Sequence, residues 1–276
     1  MTDTEKPYSE IRLTKLKQQR ADEVDDIVAS EEPLEIRLGY NDPLKGKLHK
    51  SLSITMRTPG DDINLVCGFL YSESIIRHVE DIADIDDDTD NVMRVELNDD
   101  VSFDMQRLDR HFYTTSSCGV CGKASLDALS TSGYDTLLDN SFTMNREKLF
   151  KVADKLREKQ SLFERTGGCH GVATFNGNGE IVTVAEDVGR HNAMDKLVGS
   201  MLRSHLLPIE DMGIIVSGRA SFELMQKALT ARCPMLVAVG APSSLAIELA
   251  QEFNICLIGF LKDKICNIYS CPENVL

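Results

Sequence analysis

No run of about twenty apolar residues occurs in this 276-residue chain, so no segment qualifies as a membrane-crossing helix. The N-terminal stretch from Met1 to Glu35 is polar and charged and lacks the apolar core of a secretory leader, which leads us to expect a cytoplasmic protein. Basic excess is also lacking. Thirty Lys and Arg stand against 44 Asp and Glu, a formal net charge of −14, the reverse of what a general nucleic-acid binder needs. Most of the acid lies in Asp22 to Glu32 and Glu80 to Asp100, where its ordinary role is a solvated surface. Neither a phosphate-loop lysine motif nor a strand-anchored dinucleotide fingerprint is present, which argues against a conventional ATPase or dehydrogenase. Internal repeats and low-complexity tracts are absent.

What is present is ordinary globular composition, 42% hydrophobic and 27% charged, with eight cysteines that read as thiols rather than a disulfide framework. The most informative motif is Tyr113-Thr114-Thr115-Ser116-Ser117-Cys118-Gly119-Val120-Cys121-Gly122-Lys123. An extended stretch leads in from His111, and a helix-compatible stretch leads out to Leu129. Cys118 and Cys121 therefore sit on a loop that opens a helix, where free N–H groups, the helix dipole and Lys123 favour a thiolate. Three other readings of this pair stay open. It is half of a structural zinc site completed by Cys266 and Cys271, although their spacing is loose. It is a thioredoxin-like dithiol, although it lies too far along the chain. Or, with His78-Val79-Glu80, it is a zinc deaminase centre, although Ser117 stands where that motif has proline. Cys67 and Cys256 lie in apolar stretches and read as buried hydrophobes, and Cys169 and Cys233 as bystanders.

The pattern changes near residue 110. Upstream, Pro33 to Tyr40, Leu52 to Met56 and Val92 to Leu97 read as strands, Ile63 to Ile76 as a helix, and the Asp/Asn-rich runs around the last strand as loops. Downstream, strands and helices alternate. Asn145 to Gln160 is an amphipathic helix, and Val172 to Phe175 and Ile181 to Ala185 form a hairpin around Asn176-Gly177-Asn178-Gly179. Helices over His191 to Leu202, Ser221 to Ala231 and Ser244 to Phe253 separate apolar strands over Gly213 to Val216, Met235 to Val239 and Ile255 to Phe260. Such strands imply a sheet covered on both faces. The expected organisation is an acidic, flexible tail (1–32), a smaller strand-rich subdomain (33–110) and an α/β domain carrying the Cys-x-x-Cys loop (111–276).

Ligands on such a sheet bind where strands end and helices begin. Thr166-Gly167-Gly168-Cys169-His170, Glu186-Asp187-Val188-Gly189-Arg190-His191-Asn192, Ser217-Gly218-Arg219-Ala220-Ser221 and Gly240-Ala241-Pro242-Ser243-Ser244 all fall at such places. Their glycines and hydroxyls suit phosphate oxygens, and Arg190 and Arg219 suit bidentate phosphate contacts. Taken together they point to a nucleotide or polyphosphate ligand. Glu186, Asp187 and His191 could instead form an acid/base set, and Cys169 with His170 a nucleophile and base. Adjacent strand residues face opposite ways, so we read His170 and His191 as ligand-contacting or loop-bracing.

Thr166 to His170, Glu186 to Ala193 and Ser217-Gly218-Arg219, with Ser116-Ser117-Cys118-Gly119-Val120-Cys121-Gly122, Met56-Arg57-Thr58-Pro59-Gly60-Asp61-Asp62 and Gly68-Phe69-Leu70, resemble the FdhD family, the formate dehydrogenase accessory sulfurtransferases. The resemblance runs from about residue 33 to the C-terminus. It implies an α/β (α+β overall) fold, a cytidine-deaminase-like three-layer sandwich without the deaminase zinc site, so that no structural metal is expected. It also implies a homodimer. The implied activity is transfer of persulfide sulfur from a cysteine desulfurase to the molybdenum (or tungsten) bis(molybdopterin guanine dinucleotide) cofactor destined for formate dehydrogenase. By motif position Cys118 is the persulfide carrier and Cys121 its assisting thiol. The guanine-dinucleotide contacts would include Leu261, Lys262, Asp263, Lys264, Ile265 and Cys266, along with Arg190, His191, Ser217, Gly218 and Arg219. Many relatives carry Gly-Arg where this chain has Lys264-Ile265, which puts individual side-chain contacts there in question. A non-catalytic, cofactor-holding chaperone of formate dehydrogenase is the alternative from another class.

Overall fold

A computed structural model describes residues 6–18, 20–42, 46–89, 91–101 and 140–276. The Cys118–Cys121 loop and the flanking elements expected around it lie outside these residues. In chain order the elements begin with strands β1 (Tyr8–Lys17), β2 (Arg20–Ala29), β3 (Glu32–Asp42) and β4 (Gly46–Arg57), helix α1 (Asp62–Ser72), and strands β5 (Ile82–Thr89) and β6 (Val92–Leu97). Helices α2 (Arg146–Lys159) and α3 (Ser161–Thr166) then precede the hairpin β7 (His170–Asn176) and β8 (Ile181–Asp187). The remainder is α4 (Arg190–Arg203), β9 (Met212–Val216), α5 (Phe222–Thr230), β10 (Met235–Ala238), α6 (Ser244–Glu252), β11 (Cys256–Lys262) and β12 (Ile265–Ile268).

Six strands form the larger sheet in the order β12-β11-β10-β9-β7-β8. β9, β10 and β11 are parallel, while β7 runs against both β9 and β8. Alternation along each strand sends neighbouring side chains to opposite faces. Val172, Ile214 and Leu236 therefore join one core with α4, α5 and α6, and Ala173, Ile215 and Val237 join another with α2. The result is the expected three-layer α/β arrangement. Helix α2 starts where the Asn145 side chain accepts from Glu147 N at 2.9 Å and Lys148 N at 3.3 Å. It buries Leu149, Val152 and Leu156 against the sheet, worth about 2 kcal/mol apiece.

A four-stranded sheet, ordered β4-β3-β6-β5, packs with α1 around its own core. It joins the larger body where α1 crosses α4, and glycines make that crossing close. A methyl group on Gly68 would stand 1.8 Å from the Asp195 carbonyl oxygen, and one on Gly199 1.9 Å from that of Asn64. The two helix backbones are in direct contact.

The structure departs from the sequence reading most plainly in three places. The segment expected as a flexible acidic tail contains an antiparallel hairpin, β1–β2. Its base is fastened by Ser30 N donating to Pro7 O at 3.0 Å and by the Arg165 guanidinium lying 3.8 Å over the Tyr8 ring. The acid-rich run read as a loop is instead strand β5, with Ile82 and Ile85 against the core and Asp84 exposed. The short strand β12 follows β11 through a two-residue turn that the reading did not separate out.

Candidate functional site

Because β7 is antiparallel to its neighbours, its first residue, His170, lies on the same rim as the last residues of β8, β9, β10 and β11. Backbone bonds strap the loops of this rim together. Ser217 N donates to Gly171 O at 2.8 Å, and Gly171 N donates to Ser217 Oγ at 2.9 Å. Gly240 N donates to Gly218 O at 2.9 Å, and Phe260 N to Gly240 O at 3.0 Å.

A cavity of about 1310 Å³ opens on the α2 side of this rim. Gly167 to His170, Ser217 and Val239 line it from the strand ends. The polar side of α2 and the start of α3 line it through Lys151, Asp154, Arg157, Gln160 and Phe163. The β11–β12 turn supplies Leu261, Lys262, Asp263 and Lys264. Lys262 and Ile265 pair across that turn, and Asp263 and Lys264 both adopt the left-handed region, with φ of 50° and 62°. Two consecutive left-handed residues are the hallmark of a tight hairpin turn normally built from Asn and Gly.

The eleven residues expected to hold the dinucleotide fall into three groups. Leu261, Lys262, Asp263, Lys264 and Ser217 line the cavity. Ile265 is exposed on β12, and Cys266 packs against the α2-side core. Arg190, His191, Gly218 and Arg219 sit towards α4 and α5. Gly218 adjoins the cavity through His170, whose Nδ1 would be 3.3 Å from a methyl group on Gly218. His191 Nε2 lies 2.6 Å from Glu223 Oε2 and 3.4 Å from Ser221 Oγ, so it ties the starts of α4 and α5 together. This contact holds the Glu223 carboxyl below its usual range. The Arg190 Nε is buried without a hydrogen-bond partner. Burial, and then the charges of Arg190 and His191, lower the His170 pKa from its ordinary 6.5.

Other strings turn out to be framework. Asp187 is fully buried, 2.8 Å from Lys196 Nζ. Its carboxylate also accepts from Thr58 N at 3.1 Å and Gly189 N at 2.8 Å, while Lys196 donates to Thr58 O at 2.8 Å. Asn192 donates to Met56 O at 2.7 Å and accepts from Thr55 Oγ1 at 2.9 Å. This knot joins β4 to the β8–α4 connection. Glu186 accepts from Leu162 N and Phe163 N at 2.9 and 2.8 Å and so caps α3. The acid/base set is thus engaged in holding the fold. His78 and Glu80 belong to a turn before β5 and the four-stranded sheet, away from the rim. Among the described residues no group of three His, Cys, Asp or Glu is placed to hold a metal ion.

Burial disfavours the thiolate at each of the six described cysteines. Burial pushes the thiols of Cys67 and Cys233 up to about 11 and 12, and raises those of Cys169, Cys256, Cys266 and Cys271 as well. Arg157, Gln160 and Phe163 are cavity residues that sequence reasoning missed. Arg157 sits on the side of an amphipathic helix that reads as solvent-facing, Gln160 follows that helix, and the one available signal was an aromatic, Phe163, just past its end.

A crystal structure from Desulfotalea psychrophila, described as a formate dehydrogenase accessory protein, shares this fold with a TM-score of 0.76 and 22% identity, covering 98% of this chain and all of that one. Among sequence relatives, the sulfur carrier protein FdhD of Streptomyces avermitilis is 46% identical over 260 residues, 91% of this chain and 89% of that protein. Its namesake in Saccharolobus solfataricus is 41% identical over 263 residues, 95% of this chain and 96% of that protein. The FdhD/NarQ family model matches residues 29–276. A match of that extent, joined to relatives of that identity, leaves one conclusion: this chain belongs to the FdhD/NarQ family.

Proposed function

We propose that this protein is a sulfur carrier serving formate dehydrogenase. The observation that carries the reading is its 46% identity, over 91% of its length, to a protein named a sulfur carrier. The raised pKa values of the six described thiols support assigning the chemistry to the two remaining cysteines, Cys118 and Cys121.

In this mechanism the Cys118 thiolate attacks the outer sulfur of a persulfide on a cysteine desulfurase. The donor's S–S bond breaks, the donor leaves as a thiolate, and Cys118 holds the sulfur as a new persulfide. Cys121 then attacks the Cys118 sulfur, forming a Cys118–Cys121 disulfide and releasing the outer sulfur as hydrosulfide to the metal centre. The dithiol supplies the two electrons, and a thiol reductant later restores it. The acceptor is a molybdenum or tungsten bis(molybdopterin guanine dinucleotide), bound as substrate. A cavity of about 1310 Å³ suits so large a ligand, being above the usual 300–1,000 Å³ of small-molecule sites. Lys151, Arg157, Lys262 and Lys264 line it alongside Glu147, Asp154 and Asp263, and the four cations are suited to phosphate oxygens. The reading further makes the protein a cytoplasmic homodimer that meets the desulfurase and formate dehydrogenase in turn. No helix among the described residues is long and apolar enough to cross a membrane.

Intact mass after incubation with a cysteine desulfurase and cysteine tests the proposal. Wild type and Cys121→Ala should each gain one reductant-labile sulfur, and Cys118→Ala none. A wild type that gains no sulfur from an active desulfurase would overturn the carrier reading in favour of a chaperone that only holds the cofactor.

A further inference from the structure

The β1–β2 hairpin is a two-stranded sheet of its own, ten residues to a strand, fastened at its base beside α3. Beyond that base it is exposed on both faces, to 78% at Leu16. Pairing of Leu13 with Val24 and of Ser9 with Val28 puts Ile11, Leu13, Val24 and Val28 on one face. None of the four packs against a core of the body. An isolated ribbon of two strands is marginally stable in water, so an arm of this length with an apolar stripe calls for a cover. The FdhD/NarQ family match begins at residue 29, so all but the last residue of the arm stands outside it.

Charge identifies that cover. β1 is the basic strand of the arm, through Arg12, Lys15 and Lys17, and β2 is the acidic one, through Asp22, Glu23, Asp25 and Asp26. β5 is an edge of the four-stranded sheet and carries Asp84, Asp86 and Asp87. Lys15, Lys17, Asp84 and Asp87 are all exposed and form no ion pair among the described residues. The other edge, β4, has its Lys47 and His49 already on Glu96, at 3.0 and 2.7 Å. β3 begins where the arm ends, β6 runs parallel to β3, and β5 runs against β6. The last residues of β5 and the base of the arm therefore lie at one end of the sheet.

We propose that β1 pairs with the open edge of β5 in a second copy of this chain, and that the second arm does the same in return. An isologous dimer has this reciprocity, each contact being repeated about the two-fold axis. The other symmetric pairings fail on charge: β1 on β1 sets cation against cation, and β2 on β2 or β5 on β5 sets anion against anion. Pairing also satisfies the open N–H and C=O groups of both edges. The apolar stripe of the ribbon continues the side of the sheet on which Ile82 and Ile85 meet the core, and its charged face continues the side of Asp84. The inference rests on the homodimer of the reading above and names the surfaces that form it.

Sedimentation equilibrium tests it with the full chain. Lys15→Glu with Lys17→Glu, and separately Asp84→Lys with Asp87→Lys, should each raise the dimer dissociation constant at least about tenfold, because like charges then meet at both contacts. Mixed in equal amounts, the two variants should regain the wild-type affinity as a heterodimer, since each arm again faces a strand of opposite charge. That recovery also shows both variants to be folded. A wild-type dissociation constant in both variants would overturn the arm contact and leave the homodimer standing on other surfaces. Weakening in each variant without recovery on mixing would overturn it as well. A monomeric wild type would overturn the homodimer and the arm contact together.

Discussion

Two polar regions of this molecule are built from similar-looking glycine-rich strings and differ in one respect: whether their hydrogen bonds are already made. In the knot between β4 and α4, Thr58, Asp187, Asn192 and Lys196 satisfy one another and are all buried. At the rim, Arg190 Nε and Gln160 Nε2 are buried with no partner, and Lys262, Asp263 and Lys264 extend into solvent. A closed network of buried polar groups specifies structure. An open one keeps capacity for a ligand. In sequence both look like binding motifs, and only the accounting of partners separates them.

Cutting the knot gives the largest expected effect. Lys196→Met leaves Asp187 as a buried carboxylate without its cation, at a cost of about 3–5 kcal/mol in chemical denaturation. A loss under about 1 kcal/mol would mean that the knot is as dispensable as the rim.

A smaller effect separates the regions by pH. His170 has a folded pKa below its ordinary 6.5, so the unfolded chain takes up its proton first as pH falls. Its contribution is fully present above pH 6.5 and is lost as pH drops through the lower folded value. Stability measured across this window should decline less in His170→Gln than in wild type. Identical slopes for the two proteins would place the acid sensitivity elsewhere.

The smallest effect is at the rim and has the opposite sign. Lys264 holds φ of 62°, which costs a residue with a side chain about 1 kcal/mol and glycine almost nothing. Lys264→Gly should therefore stabilise by up to about 1 kcal/mol. Destabilisation there would mean that the lysine side chain holds the turn.

Much of the fold was legible because burial imposes period. Val92–Leu97 and the Asn176–Gly179 hairpin fell where alternation and turn chemistry put them, and α2 ended within a residue of its reading. Strand β5 escaped because an edge strand with one solvated face can carry Asp at nearly every outward position. β12 escaped because four residues are too few to show a period. The glycine and hydroxyl loops do gather on one rim of the larger sheet, since chain reversal at strand ends is written in local chemistry. The α2 contribution was not readable. A polar helix face facing a cavity has the same composition as one facing water, and Gln160 becomes unusual only once its missing partner is visible.

The glycine crossing of α1 on α4 sets how this molecule can move. With the backbones touching at Gly68 and Gly199 there is no intervening layer of side chains to slide or repack. The four-stranded sheet is therefore held on α4 at this crossing, and the Thr58–Asp187–Lys196 knot fastens the same two parts a second time. Any large rearrangement of this molecule has to come from chain segments away from these two fastenings.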